Sequence, residues 1–287
     1  MNSISRYFSL VKFNHTIFAL PFAMTAYVYA LTDTDAAFDW LLLAEILFCM
    51  VFARNTAMGF NRWADRNIDA ANPRTEKREI PTGKISPSAA LVFTIANAVG
   101  FIIVAGFINK LTLILSPLAL FIITGYSFTK RFTAWSHVVL GVCLSIAPVG
   151  AYIAVTGTLA VFPILLACTV VTWVAGFDIL YSFQDADHDR RHNLHSVPAR
   201  FSAKGAKAIS ILLHLATLYS VLLTGLYYGA GLPYWCGAGL FAAILIVEHI
   251  IFRPDTTSRI AAIFGLVNGC SSFVLAAFTM ADFIWNA

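Results

Sequence analysis

The stretch GFNRWADRNIDAANPRTEKREIPTGKIS, residues 59–86, packs ten charged residues into a segment that follows, after RNTAM (54–58), on the apolar run LLLAEILFCMVFA, residues 41–53. An apolar run that gives way abruptly to dense charge is the pattern of a helix leaving a bilayer. The composition agrees. Hydrophobic residues make up 59% of the 287, charged residues only 12%, and the mean hydropathy is +0.76. Soluble globular domains carry about 25% charge. The chain therefore reads as an integral membrane protein.

Crossing a hydrocarbon core of ~30 Å takes about 20 apolar residues. Working outward from 59–86, such runs lie near 10–31, 40–60, 88–108, 111–128, 137–157, 160–181, 208–229, 233–252 and 260–285. The expected fold is an all-α bundle of nine transmembrane helices. Lys and Arg concentrate in short cytoplasmic loops, and alternate junctions collect Arg6, Lys12, the 61–87 loop, Lys130, Arg131, the 183–207 loop, Arg253 and Arg259. That side is assigned to the cytoplasm, as in a bacterial-type inner membrane. The opposite side holds TDTDAAFD (32–39), Lys110 and Asp282. An odd helix count then leaves the N-terminus cytoplasmic and the C-terminus across the membrane. The first apolar run is too long for a signal-peptide core and reads as a retained helix. The five cysteines lie in or beside spans without CxxC spacing and read as packing residues. Loops facing anionic lipid account for the net charge of +4, so no nucleic-acid partner is expected.

Within the opening stretch, Asn61, Asp65 and Asp69 recur every four residues. If the second helix runs on past the membrane, they share a stripe that drifts about 40° per step. Like charges at that spacing are mildly destabilising on a bare helix, which points to a divalent cation. Mg²⁺ takes one or two carboxylates together with substrate phosphates. The alternative is a solvated helix end paired with Arg62 and Arg66. A second polar island, FDILYSFQDADHDRRHNLHSVPARFS (177–202), repeats the spacing at Tyr181, Asp185 and Asp189, with Asp178 one turn earlier. The offset is 120 residues, or four helices. A single domain over 1–287 is expected, with two pseudo-repeats of about 10–130 and 137–255 and a last helix near 260–285. Two facing stripes would give one pocket of four carboxylates, rimmed by Arg66, Arg74, Arg78, Lys130, Arg190, Arg191 and Arg200. Acids that hold metal beside bases that hold phosphate oxygens make a diphosphate site.

NxxxDxxxD followed by NPRT and IPTGKIS, then YxxxDxxxD with HSVPARF, resembles the UbiA superfamily of intramembrane prenyltransferases, over essentially the whole chain. Within it, the second motif is most similar to the 4-hydroxybenzoate polyprenyltransferase-like group. The resemblance implies a helical bundle around a lipid-accessible cavity, Mg²⁺ as cofactor, a polyprenyl diphosphate donor and an acceptor that is often aromatic. It also implies that Asn61, Asp65, Asp69, Asp185 and Asp189 carry metal and diphosphate. GYSFTK (125–130) matches the family's YxxxK element, which adds Tyr126 and Lys130, the latter to phosphate oxygens.

An allylic diphosphate ionises when its leaving oxygens are neutralised in a dry cavity. The cation then alkylates an electron-rich ring, and a base removes the ring proton. Tyr126 and Tyr181 are candidates to flank the cation, and Asp178 or the released diphosphate to act as base. Arg54 lies two turns deeper than Asn61 on roughly the same face and is read as an anion contact, to diphosphate or to an acceptor carboxylate; the alternative is a buried pair with Glu45. Lys12, Asn14 and His15 are candidates for the acceptor end. His188, His192 and His195 lack the further ligand that zinc needs, and His137, His214, Glu248 and His249 read as structural. Pro117 and Pro148 fall inside spans, where neighbours must satisfy freed carbonyls.

Acids at the ends of spans would also suit a cation- or proton-coupled transporter. They cluster at one membrane face, however, and no route crosses the bilayer. The expected activity is thus prenyl transfer to 4-hydroxybenzoate or to a dihydroxynaphthoate acid, in ubiquinone or menaquinone biosynthesis.

Overall fold

Backbone N–H and C=O groups find no water in hydrocarbon, so an apolar chain of this length must satisfy them internally, as helices do. The computed structural model describes residues 3–11, 18–254 and 257–286, and contains no strand among them. In chain order the helices are α1 (Ser3–Val11), α2 (Leu20–Thr34), α3 (Trp40–Ala64), α4 (Arg66–Ala71), α5 (Pro87–Ile108), α6 (Lys110–Thr129), α7 (Ser136–Thr156) and α8 (Val161–Ser182). A 3₁₀ turn, Phe183–Asp185, leads to α9 (Ala186–Arg191), α10 (Val197–Arg200), α11 (Ala203–Tyr228), α12 (Leu232–Ile251) and α13 (Thr257–Asn286). The protein is an all-α membrane protein. Eight of these helices, α3, α5 to α8 and α11 to α13, are long and apolar enough to cross a bilayer. The ninth expected span, near 10–31, is met in its second half by α2, which is 15 residues long. Its first part falls on residues 12–17, outside the described residues, together with Lys12, Asn14 and His15.

Local chemistry sets several helix ends. Ser86 Oγ accepts the Ala89 N–H at 3.2 Å and Pro87 occupies the first turn of α5, where its missing N–H costs nothing. Asp39 caps α3 by accepting the Leu41 N–H at 2.7 Å. Gly157 and Gly229 close α7 and α11 with φ of 66° and 70°, a left-handed conformation that strains other residues. Pro117 has no N–H for the Leu113 carbonyl; Ser116 Oγ donates to that carbonyl at 2.9 Å instead.

The chain forms two compact units, one holding α1 and α3 to α6, the other α2 and α7 to α13. In the first, α3 packs along α5 around Cys49, Phe101 and Ala105, and Asn55 Nδ2 donates to Asn97 Oδ1 at 2.9 Å. In the second, α8 lies between α7 and α11. Gly141 of α7 permits the closest approach: a Cβ there would stand 2.4 Å from the Val171 carbonyl oxygen of α8. Trp173 of α8 is wholly buried, ringed by Phe18, Phe22, Phe177 and Phe241. On α13, Asp282 accepts from Tyr228 Oη and the Gly231 N–H, both at 3.0 Å, which pins the joint between α11 and α12. Large apolar side chains point outward throughout, and Trp40 and Trp285, 76% and 81% exposed, stand at helix ends where amphipathic rings meet the headgroups. All five cysteines are free; Cys49 is core, while Cys168, Cys236 and Cys270 face outward, so the packing role expected of them fails for those three.

Gly141→Ala should lower stability by roughly 2 kcal/mol through overpacking at α8. Gly150→Ala on the same helix, where a Cβ meets nothing within 4 Å, should be neutral or better. Thermal unfolding in detergent reads both; equal midpoints would refute the close α7–α8 contact.

Candidate active site

In the first unit the polar stretch does not continue α3 as one helix. The helix ends at Ala64, α4 begins at Arg66, and Asp65 sits between them with φ −96° and ψ 10°. That region of backbone space is sparsely populated and recurs at active sites. The stripe survives the break. Asp65 N–H donates to the Asn61 carbonyl at 2.9 Å, Asp69 N–H to the Asp65 carbonyl at 2.8 Å, and Asn61 Nδ2 to Asp65 Oδ2 at 2.9 Å. Asp69 is buried, and Arg78 Nη1 donates to its Oδ1 at 2.7 Å. Its Oδ2 has no hydrogen-bond donor among the described residues; a guanidinium nitrogen, Arg62 Nη1, stands at 3.9 Å. NPRT folds back onto this acid: Asn72 Oδ1 accepts the Arg74 N–H at 2.9 Å, and Thr75 Oγ1 donates to the Asp69 carbonyl at 2.9 Å.

Of the expected rim, Arg74 is exposed on this turn. Arg66 lies over the Trp63 ring, 5.2 Å from its centroid, and donates to the Trp63 carbonyl at 2.7 Å. Arg54, on α3, has a buried Nε without a hydrogen-bond partner among the described residues, and it forms no ion pair with Glu45. Tyr126 is half-buried in the last turn of α6.

The second unit repeats the arrangement from a different local sequence. After α8 ends at Ser182 the chain tightens into the 3₁₀ turn, and Asp185 takes φ −106° and ψ −2° before α9 begins. Each acidic motif thus breaks its helix at its first aspartate. Asp185 and Asp189 are buried, 6% and 3% exposed, and Tyr181 is half-buried at the end of α8. Asp189 Oδ2 lacks a hydrogen-bond donor among the described residues, with Lys130 Nζ at 3.8 Å, the same relation as Asp69 to Arg62. The Lys130 carbonyl accepts the His195 N–H at 2.7 Å, which ties the second loop to the segment that leads into α7.

Asp178, one turn before Tyr181, has a partner from another helix. His137 Nδ1 lies 2.7 Å from Asp178 Oδ2, and His137 Nε2 accepts the Val197 N–H at 3.3 Å. They stand 41 positions apart in the chain, and no local pattern signals the pair. Arg190, expected at the phosphate rim, instead donates to the carbonyls of Pro198 at 2.7 Å and Ala199 at 3.1 Å, and to Asp187 at 2.8 Å. It clamps α10 to α9. Arg191 and Arg200 are exposed, and His188 and His192 stack with ring centroids 4.0 Å apart. Among the described residues, no three His, Cys, Asp or Glu side chains are grouped to hold a metal ion.

Apolar helices long enough to cross a bilayer, two of them ending in an acidic break, define an integral membrane protein with charged clusters at helix ends. The UbiA prenyltransferase family matches residues 19–281, and the chain belongs to that family. It is an enzyme, a prenyltransferase, which sets aside the transporter reading. It is 33% identical over 205 residues to the 4-hydroxybenzoate octaprenyltransferase of Pseudomonas fluorescens, covering 70% of this chain and 68% of that one. With the enzyme of the same name from Photobacterium profundum it shares 34% over 185 residues, 64% of each chain. Among solved structures, the apo UbiA homologue of Aeropyrum pernix K1 superposes with a TM-score of 0.82 at 32% identity, covering 93% of this chain and 98% of that one. An Archaeoglobus fulgidus homologue bound to GPP and Mg²⁺ shares the fold, with a TM-score of 0.72 at 21% identity, covering 97% of this chain and 99% of that one.

Arg190→Ala should free α10 and raise protease sensitivity across residues 192–200, with a stability loss of about 1 kcal/mol. Arg190→Lys should not restore protection, because a single ammonium cannot span two carbonyls and a carboxylate. Unchanged digestion of the alanine variant would refute the clamp.

Proposed function

We propose that this chain transfers a prenyl group from an isoprenyl diphosphate to an aromatic acid in quinone biosynthesis, with Mg²⁺ held by Asn61, Asp65 and Asp69 and by Asp185 and Asp189. The observation that carries the reading is the recurrence in both units of a buried carboxylate oxygen, Asp69 Oδ2 and Asp189 Oδ2, neither with a hydrogen-bond donor among the described residues. Orphaned oxygens of that kind suit a hard cation. Support also comes from the homologue that carries GPP and Mg²⁺. When bound, Mg²⁺ supplies Lewis-acid neutralisation of a leaving diphosphate that departs with about three negative charges.

The chain's own residues do the rest. Lys130 and Arg74 bind phosphate oxygens, and Arg66 joins them by leaving Trp63. Arg54 offers a desolvated guanidinium to diphosphate or to the acceptor carboxylate, in keeping with its unpaired Nε. Tyr126 and Tyr181 present ring faces to the allylic cation, and apolar helices keep water from quenching it. Asp178 takes the proton that the alkylated ring sheds. The names of the curated relatives favour 4-hydroxybenzoate as acceptor, with a dihydroxynaphthoate acid as the other choice; both are aromatic acids, so the Arg54 role holds for either. The distribution of Lys and Arg puts the N-terminus and the site on the cytoplasmic side and the C-terminus opposite. The recurrence of one backbone break 120 residues apart, at Asp65 and Asp185, supports a tandem origin of two four-helix halves.

Purified protein with Mg²⁺ and geranyl diphosphate should prenylate 4-hydroxybenzoate or 1,4-dihydroxynaphthoate, read by product mass. Absence of product from both, with no Mg²⁺-dependent thermal shift by the donor, would overturn the reading. Asp65→Ala and Asp185→Ala should each cut turnover at least about 100-fold while the protein stays folded. Arg54→Ala should weaken one substrate and spare the other; full activity with both affinities intact makes Arg54 structural.

A further inference from the structure

His137 is fully buried at the start of α7, and both ring nitrogens are engaged. Since Nε2 accepts the Val197 N–H, the ring proton resides on Nδ1, which donates to Asp178 Oδ2 at 2.7 Å. The imidazole is therefore neutral and its tautomer fixed by the backbone. Asp178 belongs to α8 and Val197 opens α10, in the HSVPARF segment beyond the second acidic motif. One ring thus joins three elements that are remote in sequence.

We propose that His137 is a positioning residue for prenyl transfer: it fixes the Asp178 carboxylate so that Oδ1 receives the ring proton, and it couples that carboxylate to the loop behind Asp185 and Asp189. The inference rests on the reading of Asp178 as the base. Once the allylic cation has joined the ring carbon, the C–H bond at that carbon breaks. Its electron pair restores the aromatic ring, and the proton passes to Asp178 Oδ1. Oδ2 is committed to His137 and the side chain is 16% exposed, so turning the carboxylate to present the other oxygen would cost that hydrogen bond. Loss of a residue that orients another in this way typically costs about 10–100-fold.

The test is steady-state prenyl transfer by the full-length protein in detergent, with His137→Phe, which keeps the ring volume, and His137→Gln, which restores a donor and an acceptor. His137→Phe should lower kcat about 10–100-fold, leave the KM for geranyl diphosphate and its Mg²⁺-dependent thermal shift within about twofold, and alter the pH profile of kcat. His137→Gln should recover part of the loss. In an Asp178→Asn background the His137→Phe change should add nothing further, because two residues that act through one group are not additive. Wild-type kcat in His137→Phe overturns the proposal, as does a loss of donor binding that parallels the loss of kcat. If His137→Phe does not fold, His137→Gln decides in the Asp178→Asn background, where a further fall in kcat overturns the proposal. Asp178→Asn with full turnover sinks the base assignment itself, which is a separate result.

Discussion

A buried carboxylate oxygen without a donor costs more than the net gain of an ordinary hydrogen bond, because it has surrendered its water and received nothing in return. Asp69 and Asp189 each hold one such oxygen, and each keeps a cation just outside hydrogen-bonding reach, Arg62 at 3.9 Å and Lys130 at 3.8 Å. A chain shaped for stability alone would close those gaps. The surrounding elements instead hold them open: Arg78 occupies the other oxygen of Asp69, Thr75 anchors its carbonyl, and the second loop is tied to the Lys130 carbonyl. The proposed Mg²⁺–diphosphate role follows from this shared electrostatic deficit.

The helix breaks serve the same end. A straight α-helix carried through Asp65 would leave successive carboxylates on a surface stripe, exposed to water where the helix leaves the membrane. At Asp65 and Asp185 the backbone moves to φ near −100° and ψ near zero, and the following acid becomes buried. Around each break, polar side chains that look interchangeable in the sequence take separate duties. Arg78 pairs, Arg66 stacks, and Arg190 clamps the carbonyls that end α10.

What the sequence determined by itself was the membrane fold and the family. Those depend on local quantities, namely the length of apolar runs and motifs of four-residue spacing that need no knowledge of distant neighbours. The cap of α5 by Ser86, with Pro87 in the first turn, is local in the same sense. The first span was harder to read, because its apolar run begins near residue 10 whereas α2 begins at Leu20 and is 15 residues long.

Only the tertiary structure decided which polar groups are spoken for. His137 reads as a structural histidine until packing brings α7 against α8 and sets it on Asp178. Arg190 reads as a phosphate contact until α10 folds back under it, and a periodicity of four carries no hint that each motif bends at its first aspartate. The physical reason is common to all three. A hydrogen bond between residues 41 positions apart, or a backbone angle chosen to bury a charge, is settled by the close packing of helices, and that packing is a property of the assembled chain.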